Sequence, residues 1–481
     1  MASPFVGAMF TFVNPDGSEV TLRGWGNEFE GVFETLDDGE RLVPGGARVG
    51  EAESKALALP KHVRLTRAAS RVHTEEAQAA IGCVPRWMER RQEDLVRRIA
   101  RPSEGLAPEE APEGPGGAPP STSTTGDFLG LVLLVDFSDF PQTIGRQEVD
   151  DFCNQPGYSG FGNNGSALDY IRDVSDGKLR YRNHVAAYFR AARPRTHYTD
   201  PAIAYGSRAQ ELIRQALDGL VASGFNFSTL AADSAGFIQA LSVFYAGARS
   251  NTWSQGLWPH AWGLANPYPV GGRRRFRDYQ ITDLGSQLTL RTFCHENGHM
   301  VCDFPDLSDY DAVTVGNGIG HYSMMCFGGA DKNPTQVDAY LKHAAGWASR
   351  VSTLASGMTA TVEAGKNFLI HARNASEYLF LENRQQSGRH ATLPDAGVAI
   401  WHVDVNGNNS HEQMTASQHY QCFLEQADNR FDLEPGVNAG DAEDLYSAAG
   451  PPSVRRRDRT ATGGTAPHPA LRSSGSPWVR R

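Results

Sequence analysis

The sequence predicts an α+β protein, and three observations carry that prediction. Residues 128–137 (FLGLVLLVDF) form a near-continuous apolar run with an acid close to its end, which is how a strand buried on both faces reads. Residues 207–223 place Leu212, Ile213, Ala216, Leu217, Leu220 and Val221 at helical spacing. Beyond residue 350, short β-like runs at 359–362, 367–371, 377–382 and 397–403 alternate with turn residues, the rhythm of a small antiparallel module.

At 481 residues, 40% of them hydrophobic and 21% charged, the chain is long and apolar enough for sizeable cores in several domains. A formal net charge of −10 argues against a nucleic-acid partner. That charge is uneven: residues 451–481 hold seven Arg and one Asp, a local +6, which leaves −16 for the rest. No run approaches the roughly 20 apolar residues of a membrane span. The start, MASPFVGAMFTFV, has no basic segment before its apolar part, so no signal peptide is visible.

Five regions follow in order. In residues 1–101, two β-rich runs flank Asn14-Pro15-Asp16-Gly17, a hairpin signal. Residues 75–101 are amphipathic and basic, with Trp87, Leu95, Val96 and Ile99 set among Arg86, Arg90, Arg91, Arg97 and Arg98, and read as a solvated helix face rather than a partner site. Residues 102–126 contain six Pro and no aromatic residue, which makes them an exposed, cleavable linker. A mixed α and β domain spans 127–350, with a further buried strand at 240–246. The β-rich module occupies 351–450, and a basic low-complexity tail occupies 451–481. The Pro, Arg, Gly and Ala bias of that tail reads as an out-of-frame or truncated end, with an anion-binding tail as the alternative.

The strongest chemical signal is His295-Glu296-Asn297-Gly298-His299, an HExxH motif. On a helix, residues four apart share a face, so His295 and His299 can each offer an imidazole nitrogen to one Zn²⁺. Glu296, one step round, is placed to act as general acid and base on a metal-bound water. The preceding stretch is compatible with a helix, with Ser286 as candidate N-cap, and Pro305 requires the helix to stop. Carboxylates follow at Asp303, Asp306, Asp309 and Asp311, so a third ligand is at hand.

HENGHMVCDFPDLSDYD, followed by GNGIGHYSMMCFGG at 316–329, resembles the M6 family of metalloproteases, the immune-inhibitor-A-like peptidases. FTFVNPDGSEV, LVLLVDFSDFP, LWPHAW, VDAYLKHAAGW, YLFLENRQ and VAIWHVD extend the resemblance in consistent order over residues 8–448. It implies a zincin-like or metzincin-like catalytic domain around an HExxH helix, preceded by a propeptide-like region. It also implies a secreted zinc endopeptidase that is made as a proenzyme and acts on proteins or peptides. His295 and His299 would be zinc ligands, Glu296 the catalytic residue and Met325 the methionine of a turn beneath the metal. The family's third ligand is an Asp ten residues after the first His, where this chain has Pro305. Alignment on Pro-Asp-Leu makes Asp306 the match, with Asp303 the alternative as either ligand or helix-end residue. Relatives often carry an acidic calcium loop where this chain has Ala232-Asp233-Ser234-Ala235-Gly236, and one carboxylate holds Ca²⁺ poorly. Ca²⁺ at Asp306, Asp309 and Asp311 is a weaker expectation than a hydrogen-bonded turn. The rival reading is a non-catalytic binding or surface protein that keeps the fold.

Other residues carry weaker expectations. Cys302 and Cys326 are either a disulfide or two reduced thiols, Cys294 faces the core, and Cys83 is a remote candidate for blocking the zinc. His260 reads as structural. His321 or Tyr322 is a candidate donor to the tetrahedral transition state. His343 and Trp347 belong to a buried helix.

Overall fold

The computed structural model describes residues 5–13, 19–26, 31–34, 36, 41–42, 86, 89 and 124–447, with breaks at 204–205, 252–254, 310–315, 356, 375 and 410–418. Cys83, Asp311, most of the linker and the 451–481 tail lie outside the described residues, and with them the expectations placed there. The chain divides into two compact units, the first built mainly from residues up to Asp303 and the second mainly from Phe304 onward. The protein is mixed α/β, and none of its described helices is long and apolar enough to cross a membrane.

The first unit opens with a four-stranded antiparallel sheet of β1 (Phe5–Val13), β2 (Glu19–Gly26), β3 (Gly31–Glu34) and β4 (Arg41–Leu42). Val13 pairs with Glu19, so β1 and β2 form a hairpin across the Asp-Gly segment. Phe10, Phe12, Leu22 and Phe33 gather on one face of this sheet and pack with Trp258.

The main sheet contains β5 (Gly126–Asp136), β6 (Leu179–Arg190), β7 (Phe237–Ile238), β8 (Leu241–Tyr245), β9 (His260–Gly271) and β10 (Arg274–Asp283). Its order is β6-β5-β8-β10-β7, all parallel, and β9 pairs antiparallel to β10. β5 is central, with a parallel neighbour on each side, which is why its sequence is apolar at nearly every position. Four helices precede or lie between these strands and the motif: α1 (Arg146–Asn154), α2 (Ala167–Val174), α3 (Arg195–Tyr198) and α4 (Ser207–Ala222).

Side chains alternate across a strand, and the alternation assigns the two faces. Leu131, Leu133 and Val135 of β5 and Val243 of β8 share one core with Leu212, Ile213, Ala216 and Leu217 of α4. Phe244, next to Val243, points the other way and stacks on Phe293 with ring centroids 5.5 Å apart. Phe293 belongs to α5 (Leu290–Cys302), the helix that carries the HENGH sequence, so α5 lies on the sheet face opposite α4.

The second unit contains a short ribbon of β11 (Gly329–Ala330) and β12 (Asn333–Pro334), then α6 (Ala339–Ala344). A five-stranded sheet follows, made of β13 (Val351–Thr353), β14 (Phe368–Ala372), β15 (Glu377–Arg384), β16 (Gly397–Asp404) and β17 (Cys422–Leu424) in chain order. The module is antiparallel except that β13 runs parallel to β14. The strand expected at 359–362 is absent: Thr359, Ala360 and Thr361 are exposed, and β13 forms earlier instead. Local β propensity there meets no partner strand, and without pairing it does not suffice.

Candidate metal centre

α5 begins after Thr289, which holds an extended backbone, so the helix start is three residues later than a Ser286 cap implies. From Phe293 to Cys302 every residue is buried. A helix buried on all sides must give each polar side chain a task. Asn297 shows its task directly: its Nδ2 donates to the Phe293 carbonyl at 2.8 Å, and its Oδ1 accepts from the Tyr181 hydroxyl at 2.6 Å. Tyr181 lies on β6, so this hydrogen bond ties the helix to the sheet and fixes its rotation.

His295 and His299, both fully buried, turn their imidazoles toward each other with ring planes at 85° and Nε2 atoms 3.1 Å apart. The helix ends at Asp303, whose backbone is left-handed (φ 54°) and whose N–H donates to the His299 carbonyl at 3.0 Å. Asp303 thus serves the helix end as a cap. Beyond it, Phe304 packs edge-on against Trp347, and the Leu307 N–H donates to the Met325 carbonyl at 2.7 Å.

His295, His299 and Asp306 form a group of potential metal ligands. One ligand atom from each lies within 4.8 Å of the others, and all three residues are buried. Asp303 is not a member of this group. At Zn–N and Zn–O distances of about 2.0–2.2 Å, tetrahedral ligand atoms sit roughly 3.3 Å apart. The separation of the two histidine nitrogens matches that spacing. A hydrogen-bonded imidazole pair would show a similar distance but has no need of a buried carboxylate as third donor. Two imidazoles and one carboxylate form a donor set suited to zinc. Glu296, 2% exposed, projects from the same helix one residue after the first histidine.

The turn over residues 322–326 is anchored from below. The Ser323 hydroxyl donates to Asp338 Oδ2 at 2.9 Å, and Arg384, completely buried, donates to the carbonyls of Tyr322 and Val337. Arg384 also pairs with Glu382, whose Oε1 accepts from the Trp401 indole at 2.8 Å and the Ala339 N–H at 3.1 Å. Met325 is fully buried in this turn. The Tyr322 hydroxyl donates to Asp444 at 3.1 Å, and burial together with that carboxylate pushes its pKa above the ordinary tyrosine range. In this state the Tyr322 O–H is directed at Asp444 and the Asp441 carbonyl. His321 is half-buried beside the Phe327 ring.

Cys302 and Cys326 are free thiols, not a disulfide. Cys326 accepts from Ser308 and donates to the Asn317 carbonyl, and burial pushes its thiol up to about 12. The Cys294 thiol is reduced and buried, as expected for a core-facing residue. His260 contacts the Trp258 carbonyl at 2.7 Å through Nδ1 and the Tyr279 hydroxyl at 3.0 Å through Nε2, as a core residue does. His343 packs on Phe380. Asp309 accepts from the Tyr420 hydroxyl, and Asp233 accepts from the Phe237 N–H. A second acidic group, Asp428, Asp441 and Asp444, is crossed by Arg430, whose Nε lies 3.0 Å from Asp428.

The sequence carries no local signal for Tyr181, Arg384 or the Ser323–Asp338 pair. A polar residue between two expected ligands of a buried helix was a usable signal for Asn297. Nothing in the sequence marked Tyr181 as its partner. No protein-family model matches this chain, and no curated protein matches it.

Proposed function

We propose that the chain is a zinc-dependent endopeptidase, made as a proenzyme and secreted, with a zincin-like catalytic domain. The observation that carries this reading is the buried group of two imidazoles and one carboxylate at His295, His299 and Asp306, with Glu296 beside it on the same helix. His295, His299 and Asp306 would hold the metal. Zinc, when bound, supplies Lewis acidity toward a carbonyl oxygen and lowers the pKa of water.

The chain's own residues would do the rest. Glu296 takes the proton of the attacking water on its carboxylate and delivers it to the leaving nitrogen. The Tyr181–Asn297 hydrogen bond keeps α5 from rotating, so the two imidazoles and Glu296 hold their relative directions. The Leu307–Met325 hydrogen bond fixes the backbone next to Asp306.

Zinc analysis paired with a casein or peptide-library assay tests the reading. Wild-type protein should contain one zinc per chain and lose turnover to a chelator. Glu296→Ala should keep the zinc and lose at least about 10²-fold in turnover, the usual size of a general acid–base contribution. Zinc without any turnover in the wild type would favour the non-catalytic binding protein.

A further inference from the structure

We propose that Asp233, Phe237, Arg277 and Asp278 form a receptor for a helical turn of the N-terminal region, and that this receptor keeps the region bound after the chain is cut in the 102–126 linker. Arg86 and Glu89 are both helical and three residues apart, so they share a helix face. The Arg86 backbone N–H donates to both oxygens of Asp278, at 3.0 Å each. Its guanidinium donates to Asp233 Oδ2 at 2.8 Å and lies 3.9 Å from the centre of the Phe237 ring. Arg277 answers with a two-pronged pair to Glu89, one arm at 2.9 Å. The basic segment that reads as a solvated face in the sequence is thus engaged at both described positions.

Two features make this more than a surface ion pair. The receptor side chains are shielded: Arg277 is 13% exposed and Asp233 14%, and charge-assisted pairs gain strength when water is partly excluded. A second contact lies elsewhere on the same unit. Trp258 packs with Phe10, Phe12, Leu22 and Phe33, and its ring centroid is 5.8 Å from that of Phe10. Departure of the N-terminal region would expose this aromatic cluster to water, at a cost that salt does not relieve. The charged contact makes retention selective, and the aromatic contact makes it persistent.

The test uses full-length protein with a site-specific protease sequence placed within residues 102–123, in a Glu296→Ala background that removes self-cleavage. After complete cutting, the N-terminal fragment should co-elute with the remainder at low salt. Its dissociation constant, measured by dilution, should rise at least about tenfold in Arg86→Ala. Added salt should weaken the wild-type complex more than the Arg86→Ala complex. Glu89→Arg should weaken retention, and adding Arg277→Glu should restore it, which separates a lost contact from a misfolded variant. Immediate loss of the fragment at low salt, or equal affinity for wild type and Arg86→Ala, overturns the proposal. Uncut protein that elutes as a dimer would also overturn it, since the receptor would then hold a second copy's segment. Co-elution is read without any proteolysis assay, so this inference stands or falls apart from the proposed activity.

Discussion

The helix that bears the two histidines and the turn that steadies the neighbourhood of Asp306 are secured by opposite means. α5 is held by apolar packing and the neutral hydrogen bond from Tyr181 to Asn297. The 322–326 turn rests on charge: Arg384, Glu382 and Asp338 are all buried and bonded to one another's segments. A neutral bond is cheap to bury and indifferent to pH across the physiological range. A buried ionic set is rigid when complete and costly when broken. The second unit should therefore be the one that fails first under mutation or a change of pH.

The largest effect is expected at Arg384. Arg384→Met leaves Glu382 buried without its cation and frees two carbonyls, and should cost the second unit about 3–5 kcal/mol. Urea unfolding followed by tryptophan fluorescence measures it. Tyr181→Phe removes only the neutral bond and should cost about 1–2 kcal/mol, with weaker zinc affinity by equilibrium dialysis. Similar losses for the two variants would erase the distinction between the regions.

A smaller effect concerns pH. His402 lies between Glu377, 3.0 Å from Nε2, and Glu425, 2.9 Å from Nδ1. Burial alone would lower its pKa, but the two carboxylates outweigh burial and raise it. The hydrogen bond from His402 is the main reason that Glu377 is held down to about 2; burial opposes this, and Arg373 adds to it. The sign follows from linkage. The raised histidine contributes stability that is complete below its ordinary value of 6.5 and fades as pH rises through the folded value. The depressed glutamate contributes stability that is present above 4.5 and is lost as pH falls toward 2. This pair contributes most between those limits. His402→Gln should flatten the alkaline arm of a stability-against-pH curve, and an unchanged arm would assign the pH dependence to another group.

Much of the first unit was legible because its signals are periodic. The apolar run at 128–137 is β5, the spacing at 207–223 is α4, and the Asp-Gly segment joins β1 to β2. The cluster of His295, His299 and Asp306 was legible as residue types, but the choice between Asp303 and Asp306 was not. That choice depends on the left-handed backbone at 303, which a non-glycine sequence does not announce. The second unit was harder. In YLFLENR nothing local marks the Arg as buried, yet Arg384 is among the most buried side chains among the described residues. Its partners lie far away in sequence, at Tyr322 and Val337, and no local pattern connects them.

The left-handed residue at Asp303 has one further consequence. From there to Leu307 the chain has little freedom: Asp303 is bonded back to the helix, Phe304 is wedged on Trp347, Pro305 has a fixed φ, and Leu307 is tied to Met325. Under the proposed reading an ion would find this stretch already ordered, so little of its binding energy would be lost to fixing it. In a zinc finger the metal assembles its own site and the apo chain is unfolded. Under the proposed reading the stretch that leads to Asp306 is ordered by its own bonds, so a chelator should abolish turnover while the far-UV circular dichroism of the protein stays unchanged.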